Sequence, residues 1–287
     1  MNETGTLTHV VLKHPLDAFV DAATIAAQWE DLNFVAPPNL ECAVAEYERF
    51  VAAIRSAGAT VSFLPSDANT TLDSIYVRDA SIVSPRGMIL CRMGKQQREQ
   101  EPAAQRAAFA AMTPTIPVIG EITEPGRLEG GDIVWLDSHT VVVGRGYRTN
   151  DAGIDQLRAL LGPSIEIVIV PLPHWRGEND VMHLMSLISP VDRDLAVVYS
   201  RLLPVPFREY LLRREIGVVE VPDEEFNSMG TNVLAIAPRQ CVMLAGNPRT
   251  RAALEGAGAS VLEYEGNEIS VKGAGGPTCL TRPIARA

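Results

Sequence analysis

One order of hydrophobic and polar segments recurs along the chain. A short apolar segment, a polar turn and a second, more apolar segment return four times. The copies are SIVSPRGMILC, DIVWLDSHTVVVG, SLISPVDRDLAVVYS and NVLAIAPRQCVMLAG, which start at Ser81, Asp132, Ser186 and Asn232, in steps of 51, 54 and 46 residues. Because turn formers separate the two apolar segments of a copy, each copy is predicted to be a β-hairpin.

Each predicted hairpin is followed by a segment whose apolar residues have helical spacing. These segments are REQEPAAQRAAFAAM, DAGIDQLRALLG, PFREYLLRREIG and PRTRAALEGAG, and most end at or near glycine, as helices commonly do. Single strands are then predicted at TIPVIG, IEIVIVP, GVVEVP and SVLEY. The chain therefore contains four predicted ββαβ units.

A fifth unit is predicted to close across the two termini. THVVLKHP supplies a strand, CAVAEYERFVAAIRSAG a helix and TVSFLP the next strand, while TCLTRPI at the other terminus pairs with the first strand. Five units with a period near 50 residues predict a closed α/β ring with pseudo-fivefold symmetry, in one domain over residues 1–287. The alternative is an α/β sandwich in which the hairpins recur without forming a ring.

Composition and charge narrow the function classes. Of the 287 residues, 46% are hydrophobic and 21% are charged, which is typical of a soluble globular protein. The N-terminal sequence has neither the basic start nor the apolar run of a signal peptide, so we expect a cytoplasmic protein. A net charge of −10 argues against a nucleic-acid or anionic-membrane partner and is compatible with a cationic small substrate.

The four cysteines are far apart and form no CxxC or Cys/His cluster, so no metal site is expected. Cys42, Cys91 and Cys241 lie in apolar segments and are predicted to be small core residues. Cys279 differs because it stands in GAGGPTCLTRP, a glycine-rich segment that suits neither a helix nor a buried strand.

In a closed ring, the segments that precede the first strand of each unit face one another at the centre. These segments are DSIYVRD, LEGGD, VMHLMS, EEFNSMGTN and GGPTC. They bring His183 opposite Cys279, and a histidine is the usual proton-transfer partner of a cysteine nucleophile. A histidine considered alone is more often structural, so the pairing with Cys279 carries this hypothesis.

The same segments gather four acids: Asp73, Asp79, Glu129 and Asp132. So many carboxylates repel one another unless a cation lies between them, which predicts a cationic ligand. Asp132 is explained equally well as a solvated turn residue.

Arg98 and Arg148 lie in loops that follow two hairpins. An arginine binds a carboxylate through two parallel hydrogen bonds, so acids at one end and arginines at the other would suit an amino acid with a cationic side chain. Each arginine considered alone is more typical of a solvated surface charge.

The ordered set DSIYVRD, EGGD, GYRTN, MHLMS and GGPTCLTRP resembles the guanidine-modifying enzymes of the pentein fold, the amidinotransferase superfamily. Within it the sequence is most similar to the dimethylarginine dimethylaminohydrolase family, from about residue 30 to residue 284. The resemblance implies a five-bladed α/β propeller without metal or cofactor. It also implies hydrolysis of methylated arginine to citrulline through a covalent thiouronium.

The resemblance also implies roles for single residues. Cys279 would be the nucleophile and His183 the general acid and base, while Asp79 and Glu129 would grip the guanidinium. The implied substrate-binding groups are Asp73 for the α-ammonium, Arg98 and Arg148 for the α-carboxylate, and the loop around Leu32 as a flexible lid. The resemblance is also compatible with a homodimer.

Two positions depart from the family pattern. Arg78 stands where the mammalian-type enzymes carry an acid, and arginine deiminases have a similar Arg-Asp pair. Met185 stands where deiminases and amidinotransferases have the aspartate of a His-x-Asp motif. The missing acid would leave one side of the guanidinium less tightly bonded, which favours N-alkyl groups. An arginine deiminase, an amidinotransferase and a catalytically silent amino-acid-binding protein remain the alternatives.

Overall fold

The computed structural model describes residues 1–177 and 182–287, and the strands in these ranges form five three-stranded sheets. The sheets are β1 (Leu7–Leu12), β2 (Thr60–Phe63) and β15 (Arg282–Arg286); β3 (Ser81–Ser84), β4 (Gly87–Leu90) and β5 (Val118–Glu121); β6 (Ile133–Trp135), β7 (Thr140–Arg145) and β8 (Glu166–Pro171); β9 (Ile188–Asp192), β10 (Leu195–Val198) and β11 (Gly217–Glu220); β12 (Val233–Ala237), β13 (Gln240–Leu244) and β14 (Ser260–Tyr264). In every sheet the middle strand pairs antiparallel with one neighbour and parallel with the other. The repeated ββαβ order predicted from the sequence is confirmed.

The first sheet joins the two ends of the chain. β15 pairs antiparallel with β1, so that Leu7 lies opposite Arg286 and Val11 opposite Arg282. The predicted fifth unit across the termini is therefore confirmed, and the chain has the pentein fold. The hydrophobic core lies between the sheets and the helices that cover them.

The α-helices in the described ranges are α1 (Pro15–Ala18), α2 (Ala22–Gln28), α3 (Leu40–Ser56), α4 (Glu101–Ala111), α5 (Asp151–Leu161), α6 (Val205–Arg213), α7 (Asp223–Phe226) and α8 (Pro248–Gly256). Helix α5 shows why these segments are helical. Ile154, Leu157 and Leu161 recur at three- and four-residue spacing on its buried face, and the Asn150 side chain caps its first turn by accepting from the Gly153 N–H. No helix in the described part of the chain is long and apolar enough to cross a membrane.

The prediction for Cys42 is wrong. Cys42 lies in the first turn of α3, where its side chain is exposed, whereas Ala43, Tyr47 and Phe50 on the same helix are buried. Its apolar neighbours face the core from the other side of the helix, which a linear segment does not show. Cys91 and Cys241 are buried as predicted.

Short tight turns deliver the predicted central segments to one place. One 3₁₀ turn over Gly130–Asp132 leads into β6, and another over Leu184–Ser186 leads into β9. A π-helical turn at Asn267–Val271 precedes the glycine-rich loop. Val181, the first residue of the VMHLMS segment, lies outside the described residues.

Candidate active site

The loops before the first strands are tied to one another by backbone hydrogen bonds. The Gly130 N–H donates to the Asp79 carbonyl at 2.8 Å, and the Arg78 N–H donates to the Cys279 carbonyl at 3.2 Å. A cavity of about 150 Å³ opens between these loops. Every predicted site residue except Glu129 and Asp132 lines this cavity, which we call the central cavity: Leu32, Asp73, Asp79, Arg98, Arg148, His183 and Cys279.

The Cys279 thiol is held by an asparagine from the neighbouring unit. Asn232 Nδ2 donates to Cys279 Sγ at 3.4 Å, and Asn232 Oδ1 accepts from the N–H and the hydroxyl of Thr278 at 3.0 and 2.9 Å. A Cβ at Gly276 would lie 2.5 Å from the side-chain carbon of Asn232, so only glycine allows this approach. Asn232 thus fixes the loop that carries the thiol.

Cys279 rests as a neutral thiol. Burial, together with the negative charge of Asp79, raises the pKa of the thiol, and the hydrogen bond from Asn232 opposes this only in part. A cation bound beside Asp79 would offset that charge and lower the pKa. The cysteine is therefore arranged to ionise when a cationic ligand is present.

His183 is a buried imidazole between two carboxylates. Its Nε2 lies 2.7 Å from Glu129 Oε2, and its Nδ1 lies 3.7 Å from Asp79 Oδ1. Burial alone would lower the pKa of His183, but the charges of Asp79, Asp132 and Glu129 outweigh it and raise the pKa to about 9. At neutral pH His183 is therefore an imidazolium, ready to give a proton to a group in the cavity.

Glu129 is not among the side chains that line the central cavity, and its expected contact with a bound guanidinium stays a prediction. It is fully buried behind His183, where it also accepts from the Gly94 N–H at 2.7 Å and from Arg148 Nη1 at 3.2 Å. Although burial acts in the opposite direction, the hydrogen bond and charge of His183 and the charge of Arg148 hold the pKa of Glu129 well below its usual range. Glu129 is a positioning residue that fixes and charges the imidazole.

Asp79 is the carboxylate of the central cavity that lies beside His183. Its Oδ2 accepts from Arg98 Nη1 at 2.6 Å. Its Oδ1 is buried beside His183 and has no hydrogen-bond partner among the described residues. A buried acceptor without a partner costs free energy, so this oxygen is prepared to accept an N–H from a bound ligand.

Arg98 does not stand free as a two-bond carboxylate clamp. Its Nε and Nη2 donate to Glu101 at 2.8 Å each, and Nη2 also donates to the Tyr76 carbonyl at 2.9 Å. With the bond to Asp79, four of the five guanidinium N–H groups are used, and one Nη1 N–H is left for a ligand. Glu101 was not predicted as a partner of Arg98, although it lies three residues after Arg98 at the start of a predicted helix.

Arg148 retains more donors than Arg98. Only its Nη1 contacts a carboxylate in the described residues, that of Glu129 at 3.2 and 3.5 Å. Arg148 lines the central cavity, and its Nη2 and Nε edge has no acceptor among the described residues, so this edge is available for a ligand carboxylate.

Lys95 is a cavity residue that the sequence analysis did not single out. Its Nζ donates to Asp73 Oδ2 at 2.6 Å and to the Leu32 carbonyl at 2.8 Å. The two acceptors belong to the segment predicted to bind an α-ammonium and to the predicted lid. The Lys95 ammonium thus lies between Asp73 and the Leu32 carbonyl. In the sequence, the only indication of this role was a lysine three residues before Arg98.

Asp132 is neither a solvated turn residue nor a ligand-binding group. It is fully buried and accepts from the Leu184 N–H at 2.9 Å and from the Thr149 hydroxyl at 2.6 Å. Burial raises its pKa to about 6, against the charge of His183. Asp132 therefore ties the turn that carries His183 to the neighbouring unit.

Asp79, Glu129 and His183 are also close enough to be considered as metal ligands. One atom of each lies within 4.8 Å of the others. However, Glu129 Oε2 is already engaged by His183 Nε2, and Arg98 and Arg148 neutralise the two carboxylates. The three side chains are organised as a hydrogen-bonded acid–base group, which does not fit a metal-ligand set.

Comparison with known proteins finds relatives that are named for dimethylarginine and for arginine. The family model described as N,N dimethylarginine dimethylhydrolase, eukaryotic, matches residues 25–286. The N(G),N(G)-dimethylarginine dimethylaminohydrolase of Streptomyces coelicolor is 30% identical over 212 residues, which are 72% of this chain and 73% of that protein. The arginine deiminase of Mycobacterium marinum is 28% identical over an alignment that covers 81% of this chain and 70% of the deiminase.

A solved structure supports the fold. The dimethylarginine dimethylaminohydrolase of Pseudomonas aeruginosa, in complex with citrulline, superposes with a TM-score of 0.76 at 21% identity, over 96% of this chain and 98% of that one. Because the family model covers most of the sequence, the chain belongs to the N,N-dimethylarginine dimethylhydrolase family, an enzyme family that hydrolyses amidine C–N bonds.

Proposed function

We propose that this enzyme hydrolyses N-methylated L-arginine to L-citrulline and methylamine or dimethylamine, with Cys279 as the nucleophile. The observation that carries the proposal is the convergence of the Cys279 thiol, the protonated His183 and the unpartnered Asp79 Oδ1 on one buried cavity. A guanidinium is a poor electrophile, so positioning its carbon against the sulfur is the main requirement. The relatives named for dimethylarginine support the choice of substrate.

In this mechanism the substrate cation binds against Asp79, and Cys279 then loses its proton to solvent. The thiolate forms an S–C bond with the guanidinium carbon, and His183 gives its proton to the departing amine as the C–N bond breaks. A covalent thiouronium remains. Neutral His183 then takes a proton from water, and the hydroxide adds to the same carbon. The C–S bond breaks as the hydroxyl proton of the adduct passes to the departing thiolate, which releases the ureido product and regenerates the Cys279 thiol.

The methyl preference does not rest on Met185. That side chain is buried in the apolar core and lines no part of the central cavity, so the absence of an acid at 185 removes no group from the cavity wall. Arginine deiminase activity is therefore the second candidate function, favoured by the mycobacterial relative.

The substrate assignment is tested by incubating the enzyme separately with arginine, monomethylarginine and asymmetric dimethylarginine. Mass spectrometry follows citrulline and the released amine, with Cys279→Ser as control. Citrulline and dimethylamine from the dimethylated substrate, absent in the variant, support the proposal. Ammonia from arginine as the preferred reaction would replace it with the deiminase assignment. Consumption of none of the three would reject both.

A pH prediction follows from the contact between Glu129 and His183. Since catalysis needs the imidazolium, kcat should fall as pH rises through the pKa of about 9. Glu129→Gln removes a negative charge that raises this pKa, so the alkaline fall should move to lower pH and kcat at pH 8 should drop by about 10²-fold. The measurement is the pH profile of kcat.

The matched control is Glu225→Gln. Glu225 is also buried, and it accepts from the backbone N–H groups of Arg249 and Thr250 at 2.8 Å, away from the central cavity. Glu225→Gln should lower the stability of the folded protein without moving the pH profile of kcat. An alkaline limb that stays in place in Glu129→Gln would contradict the role of Glu129.

A second prediction concerns Lys95. If the substrate α-ammonium binds to Asp73 and the Leu32 carbonyl, it must displace the Lys95 ammonium. Lys95→Met should therefore lower KM about tenfold for arginine derivatives, equal to about 1.4 kcal/mol, with little change in kcat. An analogue that lacks the α-amino group should gain nothing, because it does not compete for Asp73.

Lys272→Met is the matched control for Lys95→Met. Its Nζ makes the same kind of contacts, with Glu268 Oε2 at 2.7 Å and the Pro37 carbonyl at 3.0 Å, but outside the central cavity. A rise in KM for Lys95→Met would instead mean that Lys95 itself binds the substrate carboxylate.

A further inference from the structure

A second buried group of charges lies on the other side of the chain segment that carries Asp79. Asp79 lines the central cavity, while the preceding residue, Arg78, lines a separate cavity of about 70 Å³ together with Glu3 and Arg286. Arg282 packs beside them and donates to the Arg78 carbonyl at 2.9 Å. We call Glu3, Arg78, Arg282 and Arg286 the arginine cluster.

The arginine cluster holds three guanidinium groups and one carboxylate. The carboxylate of Glu3 reaches Arg78 Nη1 at 3.3 Å and contacts neither of the other two arginines by a hydrogen bond in the described residues. Arg78 and Arg282 are buried, with exposures of 1% and 3%. Buried cations normally have matching anions, so two positive charges here lack a partner among the described residues.

The hydrogen bonds show the same shortage. Arg78 uses Nε for the Thr278 carbonyl at 3.0 Å, and Arg286 uses Nη1 for the carbonyls of Gly5 and Ala235 at 2.7 and 2.9 Å. Four nitrogen atoms are buried without an acceptor among residues 1–177 and 182–287: Arg78 Nη2, Arg282 Nε, Arg286 Nε and Arg286 Nη2. Buried donors of this kind require an acceptor.

The two unpartnered nitrogens of Arg286 lie on one guanidinium and can bind two oxygen atoms of a single ligand. Burial and the charge of Arg78 lower the pKa of Arg282 to about 9, and burial lowers that of Arg286 to about 10, against the charge of Glu3. The pKa of a buried arginine is rarely lowered in this way, because a nearby anion usually stabilises the charge of the guanidinium.

The size of the cavity limits the ligand. At about 70 Å³ this cavity has roughly half the volume of the central cavity, so its ligand is smaller than the arginine derivative proposed for that site. We propose that the arginine cluster binds one small tetrahedral oxyanion of the phosphate or sulfate class, whose two negative charges match the unpaired positive charges. This site is distinct from the central cavity and independent of the proposed substrate.

The proposal is tested by calorimetric titration of the intact enzyme with inorganic phosphate and with sulfate, at constant ionic strength. We expect saturable 1:1 binding with a Kd of about 1 mM or tighter for at least one of the two anions. Arg286→Gln, which removes the Nε and Nη2 donors, should weaken anion binding at least about tenfold. Glu3→Gln removes the competing carboxylate and frees Arg78 Nη1, so it should tighten binding about threefold or more.

Two controls make the test specific. Arg239→Gln alters a half-buried arginine whose Nε and Nη2 already pair with Asp192 and Asp194 at 2.8 Å, and it should leave the affinity unchanged. Arg148→Gln alters the central cavity and should also leave the anion affinity of the arginine cluster unchanged.

Three results would overturn the proposal: no saturable binding of either anion, loss of binding in Arg148→Gln, or weaker binding in Glu3→Gln. Chloride that competes at equal concentration would also overturn the oxyanion assignment. If Arg286→Gln does not fold, Glu3→Gln still decides, because its predicted effect is a gain in affinity.

Discussion

Cys279→Ser is expected to lower kcat by about four to six orders of magnitude while the protein stays folded. A hydroxyl is somewhat smaller than the thiol and can keep a hydrogen bond from Asn232, so the loop should stay folded. However, the hydroxyl does not ionise under these conditions, and no group facing it is a free base, because His183 is already protonated with a pKa of about 9. Single-turnover kinetics with methylated arginine would measure the loss.

Cys42→Ser is the matched control for this prediction, because Cys42 is also a reduced cysteine but is exposed on α3. It should retain full activity. Intact-protein mass spectrometry of the wild type quenched during turnover should find the thiouronium mass on Cys279 alone. Turnover within tenfold of wild type in Cys279→Ser would exclude covalent catalysis by this residue.

Asp79→Asn should lower kcat/KM by about 10³-fold for every guanidinium substrate. The asparagine preserves the shape of the side chain but removes the charge that faces the bound cation. The same charge raises the pKa of both Cys279 and His183, so both pKa values should fall in the variant. Alkylation of Cys279 by iodoacetamide at pH 7 should therefore become faster while turnover becomes slower.

Asp73→Asn separates this effect from loss of charge in general. Asp73 is paired with Lys95 at the other part of the cavity, so its loss should raise KM for α-amino substrates and leave kcat within about threefold. It should not change the alkylation rate of Cys279. Equal losses of kcat in the two variants would show that Asp79 has no special role at the guanidinium.

The sequence predicted the ring because the repeat depends on local patterns. Turn residues between two apolar segments specify a hairpin, and apolar residues at three- and four-residue spacing specify the helix that covers it, as in α5. Five copies of one unit then leave few ways to bury their apolar faces other than against each other. The convergence of Asp79, His183 and Cys279 follows from that symmetry, since each precedes the first strand of its unit.

Contacts between side chains of different loops could not be predicted from the sequence. The sequence did not indicate that Glu129 pairs with both His183 and Arg148. The expected clamp by Arg98 was reduced to one N–H because Glu101 pairs with it. In each case the residue type and its loop were predicted, and the partner was not.

Sequence alone thus determined the fold class, the closure of the ring across the termini and the residues that meet at its centre. Only the tertiary structure decided that Asp79 lies beside His183 in the cavity, that Lys95 pairs with Asp73, and that the arginine cluster has more cations than anions. The physical reason is range. Hydrophobic periodicity acts between residues a few positions apart, whereas a hydrogen bond or a charge pair depends on distances of about 3 Å between residues far apart in the chain.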